Sequence, residues 1–226
     1  MSDNEDARAA SELSAASKRS RSVSRRSLCI GVGGAAALLG LGALRYAGHD
    51  PLVRPPGGQD ESRLVSACIR CQKCYEACPR HVVVPARIEN GFVGMRTPTL
   101  DFSQDFCDYC AEAYDGVPRC VEVCPTRALR LEEGATAEEV ILGVAVVNEK
   151  ECLAFRNAGC KFCFDACPYE AIELDSEGKN PRPFVIADKC NGCGACESVC
   201  VSLQSGSIVL GATQRAIVVK PLETLG

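Results

Sequence analysis

Sixteen of the seventeen cysteines in this chain fall into four groups of four, and their spacing limits what the chain can fold into. The first group is Cys68, Cys71, Cys74 and Cys78, with two, two and three residues between them. The second is Cys107, Cys110, Cys120 and Cys124, whose middle pair is separated by nine residues. The third is Cys152, Cys160, Cys163 and Cys167, which opens with a gap of seven. The fourth, Cys190, Cys193, Cys196 and Cys200, returns to the spacing of the first. Every group ends in a three-residue step. Proline follows the first three groups, at Pro79, Pro125 and Pro168, and Val201 takes that place in the fourth. Twelve aromatics and no tryptophan in 226 residues give little material for a large apolar core. A chain this rich in thiols must be held partly by what binds them, either metal or disulfide partners. An ordinary hydrophobic content and a net charge of −4 exclude wholesale disorder and a nucleic-acid binder driven by bulk positive charge.

The run C-x2-C-x2-C-x3-C-P matches the signature of bacterial ferredoxins, which carry [4Fe–4S] clusters. A cubane needs four thiolates arranged around a body several ångströms across. Three cysteines spaced two apart wrap a loop around one side. The fourth begins a helix, points away and serves the other cluster of a pair. The following proline suits a sharp exit because it cannot donate a backbone hydrogen bond. Four copies predict two such units and four [4Fe–4S] clusters. Zinc in all-thiolate sites is the first alternative, but zinc knuckles rarely use this run of three steps. Disulfides are the second; the odd cysteine total and the ferredoxin spacing count against them.

The flanks divide the chain. Residues 144–147 and 171–174 read as strands around the third group, and 184–186 and 207–210 as strands around the fourth. Around the first two groups only 128–131 reads as a strand, and 62–67 looks helical. The stretch 82–106, with Gly91, Gly94 and Pro98, is long for a simple connection and is a candidate to dock on the other half or a partner. Inserts at 111–119 and 153–159 lie within cluster loops and are candidates for controlling solvent access. The predicted fold is α+β: two tandem bacterial-type 2[4Fe–4S] ferredoxin-like lobes behind an N-terminal twin-arginine signal or anchor. The segments are 1–47 (signal or anchor), 48–61 (linker), 62–133 (first lobe), 134–140 (linker), 141–220 (second lobe) and 221–226 (tail).

Pairing within lobes gives four ligand sets. Cys68, Cys71 and Cys74 join Cys124; Cys107, Cys110 and Cys120 join Cys78. Cys152, Cys160 and Cys163 join Cys200; Cys190, Cys193 and Cys196 join Cys167. The other pairing nests one unit in the other, joining group one to four and two to three. All sixteen are ligands in either case.

At the N-terminus a Ser/Arg run ends at Arg26 and an apolar stretch rich in Gly and Ala covers 28–44. A basic region before a short apolar one is the build of an export signal. Seventeen residues are short for a bilayer span, which takes about 20. The string Ser24-Arg25-Arg26-Ser27-Leu28-Cys29-Ile30 resembles a twin-arginine signal, with Leu28 and Cys29 standing where Phe and Leu are usual. Such export carries folded proteins with cofactors already inserted. Cys29 lies at the start of the apolar stretch and reads as a bystander. Residues 1–45 carry a net charge of +3 and the remainder −7. A mildly acidic domain suits encounter with a basic surface.

The whole chain from this segment to about residue 210 resembles the MauM/NapG family of ferredoxin-type polyferredoxins. The resemblance rests on Cys68-Ile69-Arg70-Cys71, residues 94–98, 120–126 and 143–147, and the run Cys190-Asn191-Gly192-Cys193-Gly194-Ala195-Cys196-Glu197. The order of its irregular gaps (two, nine, seven, two) is its most specific part, and the family's fourth group also tends to lack the proline. The resemblance implies a periplasmic electron carrier. It would relay electrons from a quinol-oxidising, iron–sulfur membrane partner to an oxidoreductase of the nitrate reductase or methylamine-utilisation type, with residues 28–44 available for membrane association. An iron–sulfur subunit tightly bound to a molybdenum oxidoreductase, and a metal-site maturation factor, are the alternatives. No substrate site of its own is expected. Catalysis needs an open metal position, an activated nucleophile or an organic cofactor site, the thiols are committed, and His49 and His81 form no constellation.

Overall fold

The structure, a computed structural model, describes residues 24–47, 51–110, 116–175, 180–203 and 214–224. The chain divides into two units, Met1–Arg45 and Tyr46–Gly226. In the first, helix α1 (Arg25–Ala47) starts at Ser24, whose carbonyl accepts from Leu28 N–H and whose hydroxyl accepts from Arg26 N–H. The paired arginines therefore occupy its first turn. Among the described residues no helix is long and apolar enough to cross a membrane.

The second unit is built from short elements because its sequence interrupts every run with cysteine, proline or glycine. Helix α2 (Glu61–Ala67) fits the helical reading of 62–67; Asp60 caps it, its carboxylate accepting from Arg63 N–H at 3.0 Å. That hydrogen bond holds the exposed Asp60 carboxyl below the usual carboxylate range. Three antiparallel pairs follow. Strand β1 (Val83–Pro85) pairs with β2 (Pro98–Leu100), Val83 opposite Leu100. Strand β3 (Val144–Val147) pairs with β6 (Ile217–Lys220), Val147 opposite Ile217. Strand β4 (Ile172–Asp175) pairs with β5 (Arg182–Val185), Ile172 opposite Val185. Between them lie single-turn helices α3 (Lys73–Glu76), α4 (Arg119–Glu122), α5 (Phe162–Asp165) and α6 (Ala195–Ser198).

Several segments differ from their sequence reading. Residues 128–131 form no strand. Arg130 N–H donates to Gly57 O, but the facing segment contains Pro55 and Pro56, which have no N–H to continue a ladder. The strand expected at 207–210 lies outside the described residues, and β6 closes the β3 pair instead. The stretch 82–106 supplies β1, β2 and Phe102, whose ring packs on the fourth cysteine group at Gly194. Residues 53–58, within the span read as a linker, are buried, and Leu100 N–H donates to Val53 O. In the span 134–140, Ala137 is buried within a turn capped by Thr136 and Glu139.

The largest core draws on both halves of this unit. Val53, Val82, Val83, Leu100, Phe102 and Tyr109 pack with Leu142, Ala195 and Val219. Smaller cores form around Leu64 with Leu129 and around Ala145 with Ile172 and Ile217. Cysteines are members of each.

Arg54 ties the segment before α2 to the rest. It is 4% exposed, forms a two-pronged pair with Glu61, and donates to Thr97 Oγ1 at 3.0 Å and Pro98 O at 2.7 Å. Removing one partner of such a pair strands the other. Arg54→Ala is expected to lower the unfolding free energy by about 3 kcal/mol, measured by denaturant titration of the metal-loaded protein. Arg54→Lys does not restore it, because an ammonium cannot reproduce the fork.

Candidate metal centres

The loops that carry the cysteines share one backbone device. In the first group, Arg70 and Gln72 adopt left-handed conformations, φ 57° and 68°. The equivalent positions in the fourth group are Gly192 and Gly194, φ 76° and 85°. These alternating turns curl the loop so that successive thiols face one centre. In the second group Tyr109 and Cys110 take the same region, φ 56° and 58°. Asp108 and Asn191 play matching parts: each side-chain oxygen accepts the N–H of the cysteine two residues on, Cys110 at 2.9 Å and Cys193 at 3.1 Å.

The exit from the first three groups is also repeated. In each Cys-Pro exit, the third residue after the cysteine (His81, Arg127 and Glu170) is left-handed, and its N–H returns to the cysteine carbonyl at 3.1, 3.3 and 3.5 Å. This turn sends the chain away from one loop and leaves the fourth thiol beside the neighbouring one. The Val201 variant lacks the turn. There Ser202 accepts Ala216 N–H at 2.7 Å and lies 3.2 Å from Cys200 Sγ, so its hydroxyl proton is free to point at the sulfur.

The thiols collect in four quartets. Cys68, Cys71, Cys74 and Cys124 line one apolar cavity. Cys152, Cys160, Cys163 and Cys200 line a second, and Cys167, Cys190, Cys193 and Cys196 a third. Cys78, Cys107, Cys110 and Cys120 make the remaining set: Cys120 is buried within electrostatic reach of the other three. Each quartet takes three thiols from one group and its last from the sequence-adjacent partner group. These are the combinations of the sequential pairing, and the nested pairing is not formed.

Burial and mutual proximity raise eight of these thiols above the ordinary range. Burial, reinforced by Cys68, Cys71 and Cys124, pushes Cys74 up to about 12. Burial pushes Cys107 and Cys163 up to about 12 and Cys193 to about 11, neighbouring thiols adding to it. Burial, with neighbouring thiols adding to it, also drives Cys196 and Cys120 well above the ordinary thiol range. Bare thiolates are therefore unfavourable here. A cation reverses that balance, and a metal-bound thiol is deprotonated outright.

Backbone N–H groups point at sulfur, among them Leu129 to Cys124 at 3.4 Å, Ala171 to Cys167 at 3.3 Å and Ala145 to Cys190 at 3.4 Å. Such donors stabilise negative charge on a ligand sulfur and tune a cluster's potential. All seventeen cysteines are free thiols. Among the described residues no three His, Cys, Asp or Glu side chains converge closely enough to hold one metal ion. In a cubane each thiolate binds a different iron, so its ligands stand further apart than those of a single ion. The donor set, the apolar cavities and the N–H groups aimed at sulfur fit a [4Fe–4S] cluster at each quartet.

The other sequence candidates take no part in a quartet. Cys29 is exposed on α1. His81 is exposed, and His49 and 111–115 of the first insert lie outside the described residues. The second insert is a tight turn in which Arg156 and Ala158 N–H bond back to Cys152 O and Leu153 O, with Ala154 fully buried. What the spacing did not reveal is Tyr109, buried between the second and fourth cysteine groups; the only sequence signal was an aromatic inside a cysteine loop.

The 4Fe–4S dicluster domain family matches residues 67–128 and 156–202, spans that contain every quartet cysteine except Cys152. The ferredoxin-type protein NapG of Escherichia coli is 37% identical over 168 residues, covering 70% of each chain. The methylamine utilization ferredoxin-type protein MauM of Methylorubrum extorquens is 34% identical over 206 residues, 84% of this chain and 90% of that one. MauM of Methylobacillus flagellatus is 34% identical over 192 residues, 80% of this chain and 78% of its own. The thiol-rich loops and these relatives lead to one conclusion: the chain belongs to the NapG/MauM ferredoxin-type proteins and is an iron–sulfur electron-transfer protein.

Proposed function

We propose that the sixteen quartet cysteines ligate four [4Fe–4S] clusters, and that the chain relays single electrons between a quinol-oxidising membrane partner and a periplasmic oxidoreductase. When bound, each cluster supplies a reversible one-electron centre. The protein's part is to hold it with four thiolates, exclude water, and set its potential through burial and N–H···S bonds. The observation that carries this reading is the crossed pattern, in which the last thiol of each group completes its neighbour's quartet. The halves 62–133 and 141–220 each contain one such crossed pair.

Exposed apolar side chains flank two of the quartets and suit docking of partners. Ile69 borders the first, and Arg70 in the same loop donates to Val93 O and Met95 O beside exposed Phe92. Phe162 borders the third. The paired arginines at the start of α1 support export by the twin-arginine route, with the clusters loaded before transport. The names of the MauM relatives point to methylamine utilization as one pathway for such a relay.

Cys193→Ala is expected to lose one cluster's iron and acid-labile sulfide and to destabilise its half, because metal binding is folding energy in such domains. Cys29→Ser is expected to leave both contents unchanged. Full iron and sulfide in Cys193→Ala sinks the ligand assignment.

Loading is expected to release acid. The buried thiols are protonated at neutral pH, and each must lose its proton on binding iron. Anaerobic reconstitution with iron and sulfide in weak buffer is expected to release one proton per cysteine bound beyond those the sulfide itself gives up, and fewer in a variant lacking a ligand. Loading with no acid beyond that from the sulfide contradicts thiolate ligation.

Anaerobic isolation of the tagged protein from gently solubilised membranes tests the partners. Recovery of a quinol-oxidising membrane protein is expected. A stoichiometric complex with a molybdenum enzyme alone replaces the relay with the obligate-subunit reading.

A further inference from the structure

We infer that the four quartets form one continuous row in the order first, second, fourth, third, and that Tyr109 is the positioning residue at its middle junction. This rests on reading the quartets as [4Fe–4S] sites. The quartets are named by the group that supplies three of their thiols.

Within each half, the two quartets adjoin. Cys120 of the second lies within electrostatic reach of Cys74 of the first, and Cys196 of the fourth within reach of Cys163 of the third. Two-cluster spacing predicts that much. The contact between halves is not predicted by it. There the backbone N–H of Cys107 donates to the carbonyl of Cys193 at 2.9 Å, joining a residue of the second quartet directly to one of the fourth.

Tyr109 stands beside that bond. It is 1% exposed and lies within electrostatic reach of Cys107 of its own group and of Cys190 and Cys193 of the fourth. Its hydroxyl lies 2.9 Å from Val140 O and 3.2 Å from Asn191 O. Asn191 belongs to the fourth cysteine loop, so the phenol of one loop holds the backbone of the next. Tyr109 does this from a left-handed backbone conformation, which a bulky side chain rarely adopts.

A second lock keeps the same faces together. A Cβ on Gly194 would stand 2.2 Å from the Phe102 ring. Arg215 donates to Phe102 O and to Glu197 O, each at 2.8 Å. With clusters bound, an electron crossing this junction would oxidise the cluster on one side and reduce the one on the other. No proton and no bond changes place.

The test uses the full-length, cluster-loaded protein, chemically reduced, with spin–spin interactions between clusters read by electron paramagnetic resonance. Iron and sulfide analysis of the unsubstituted chain comes first. Absence of clusters defeats the cluster reading itself, whereas a full complement with interactions only inside each half defeats the row alone. In Cys110→Ala, which empties the second quartet, the signals of both the first and the fourth are expected to lose an interaction while the third is unchanged. Loss confined to the first overturns the row. Should Cys110→Ala not accumulate, Tyr109→Phe keeps all sixteen thiols and carries the test. Its iron and sulfide are expected to be unchanged, with the interaction between the second and fourth quartets weakened. An unaltered interaction in Tyr109→Phe overturns the positioning role.

Discussion

Buried sulfur in need of a cation is the constraint from which the architecture follows. Burial raises the pKa of eight of the quartet thiols, Cys74 and Cys107 to about 12 among them. Sixteen cysteine side chains by themselves form a poor core, small and weakly cohesive. The apolar clusters around them are correspondingly thin: Leu64 and Leu129 in one place, Ala145, Ile172 and Ile217 in another. On the proposed ligation, thiolate bonds to iron supply what these side chains lack, and the short helices and two-stranded sheets need only position the loops. This explains why an α+β unit of this size gets by with four-residue helices, which have no stability of their own.

The first and fourth groups show how packing decides residue identity within one backbone shape. Both use the x2, x2, x3 spacing and both place the second and fourth residues of the loop in left-handed conformations. The first group does so with Arg70 and Gln72, whose side chains have open space or a partner outside the loop. The fourth uses Gly192 and Gly194. A Cβ there would stand 2.4 Å from the Gly143 backbone or 2.2 Å from the Phe102 ring. Glycine is required in the fourth loop because that loop is pressed against the rest of the molecule, and the first loop faces outward.

Which thiols come together was legible from spacing, because cysteine steps encode loop geometry directly. Strands around the third group and before the fourth were legible for a similar reason, since 144–147 and 172–175 are β-branched or alternating. What was not legible depends on partners distant in sequence. Residues 53–58 look like a linker by their prolines and glycines, yet they are buried. Proline has no N–H to satisfy, so Pro55 and Pro56 can be enclosed without a donor being stranded. Conversely 128–131 has strand-like alternation, and its neighbour's prolines deny it a ladder. Tyr109 shows locally only as an aromatic inside a cysteine loop, since its hydrogen-bond partner Asn191 is eighty-two residues away.

The crossed quartets link the fold to the relay. Because Cys78 completes a set with Cys107, Cys110 and Cys120, and Cys124 completes one with Cys68, Cys71 and Cys74, neither loop of the first half is finished without the other. The same holds for Cys167 and Cys200 in the second half. On the proposed ligation, emptying one site leaves a thiol that belongs to the helix of its neighbour, and the damage crosses with it. The bonds that hold adjacent loops together also bring adjacent redox centres within reach of each other. A chain that joins its clusters this way cannot loosen the electron path without loosening its own structure, so stability and conduction are set by the same contacts.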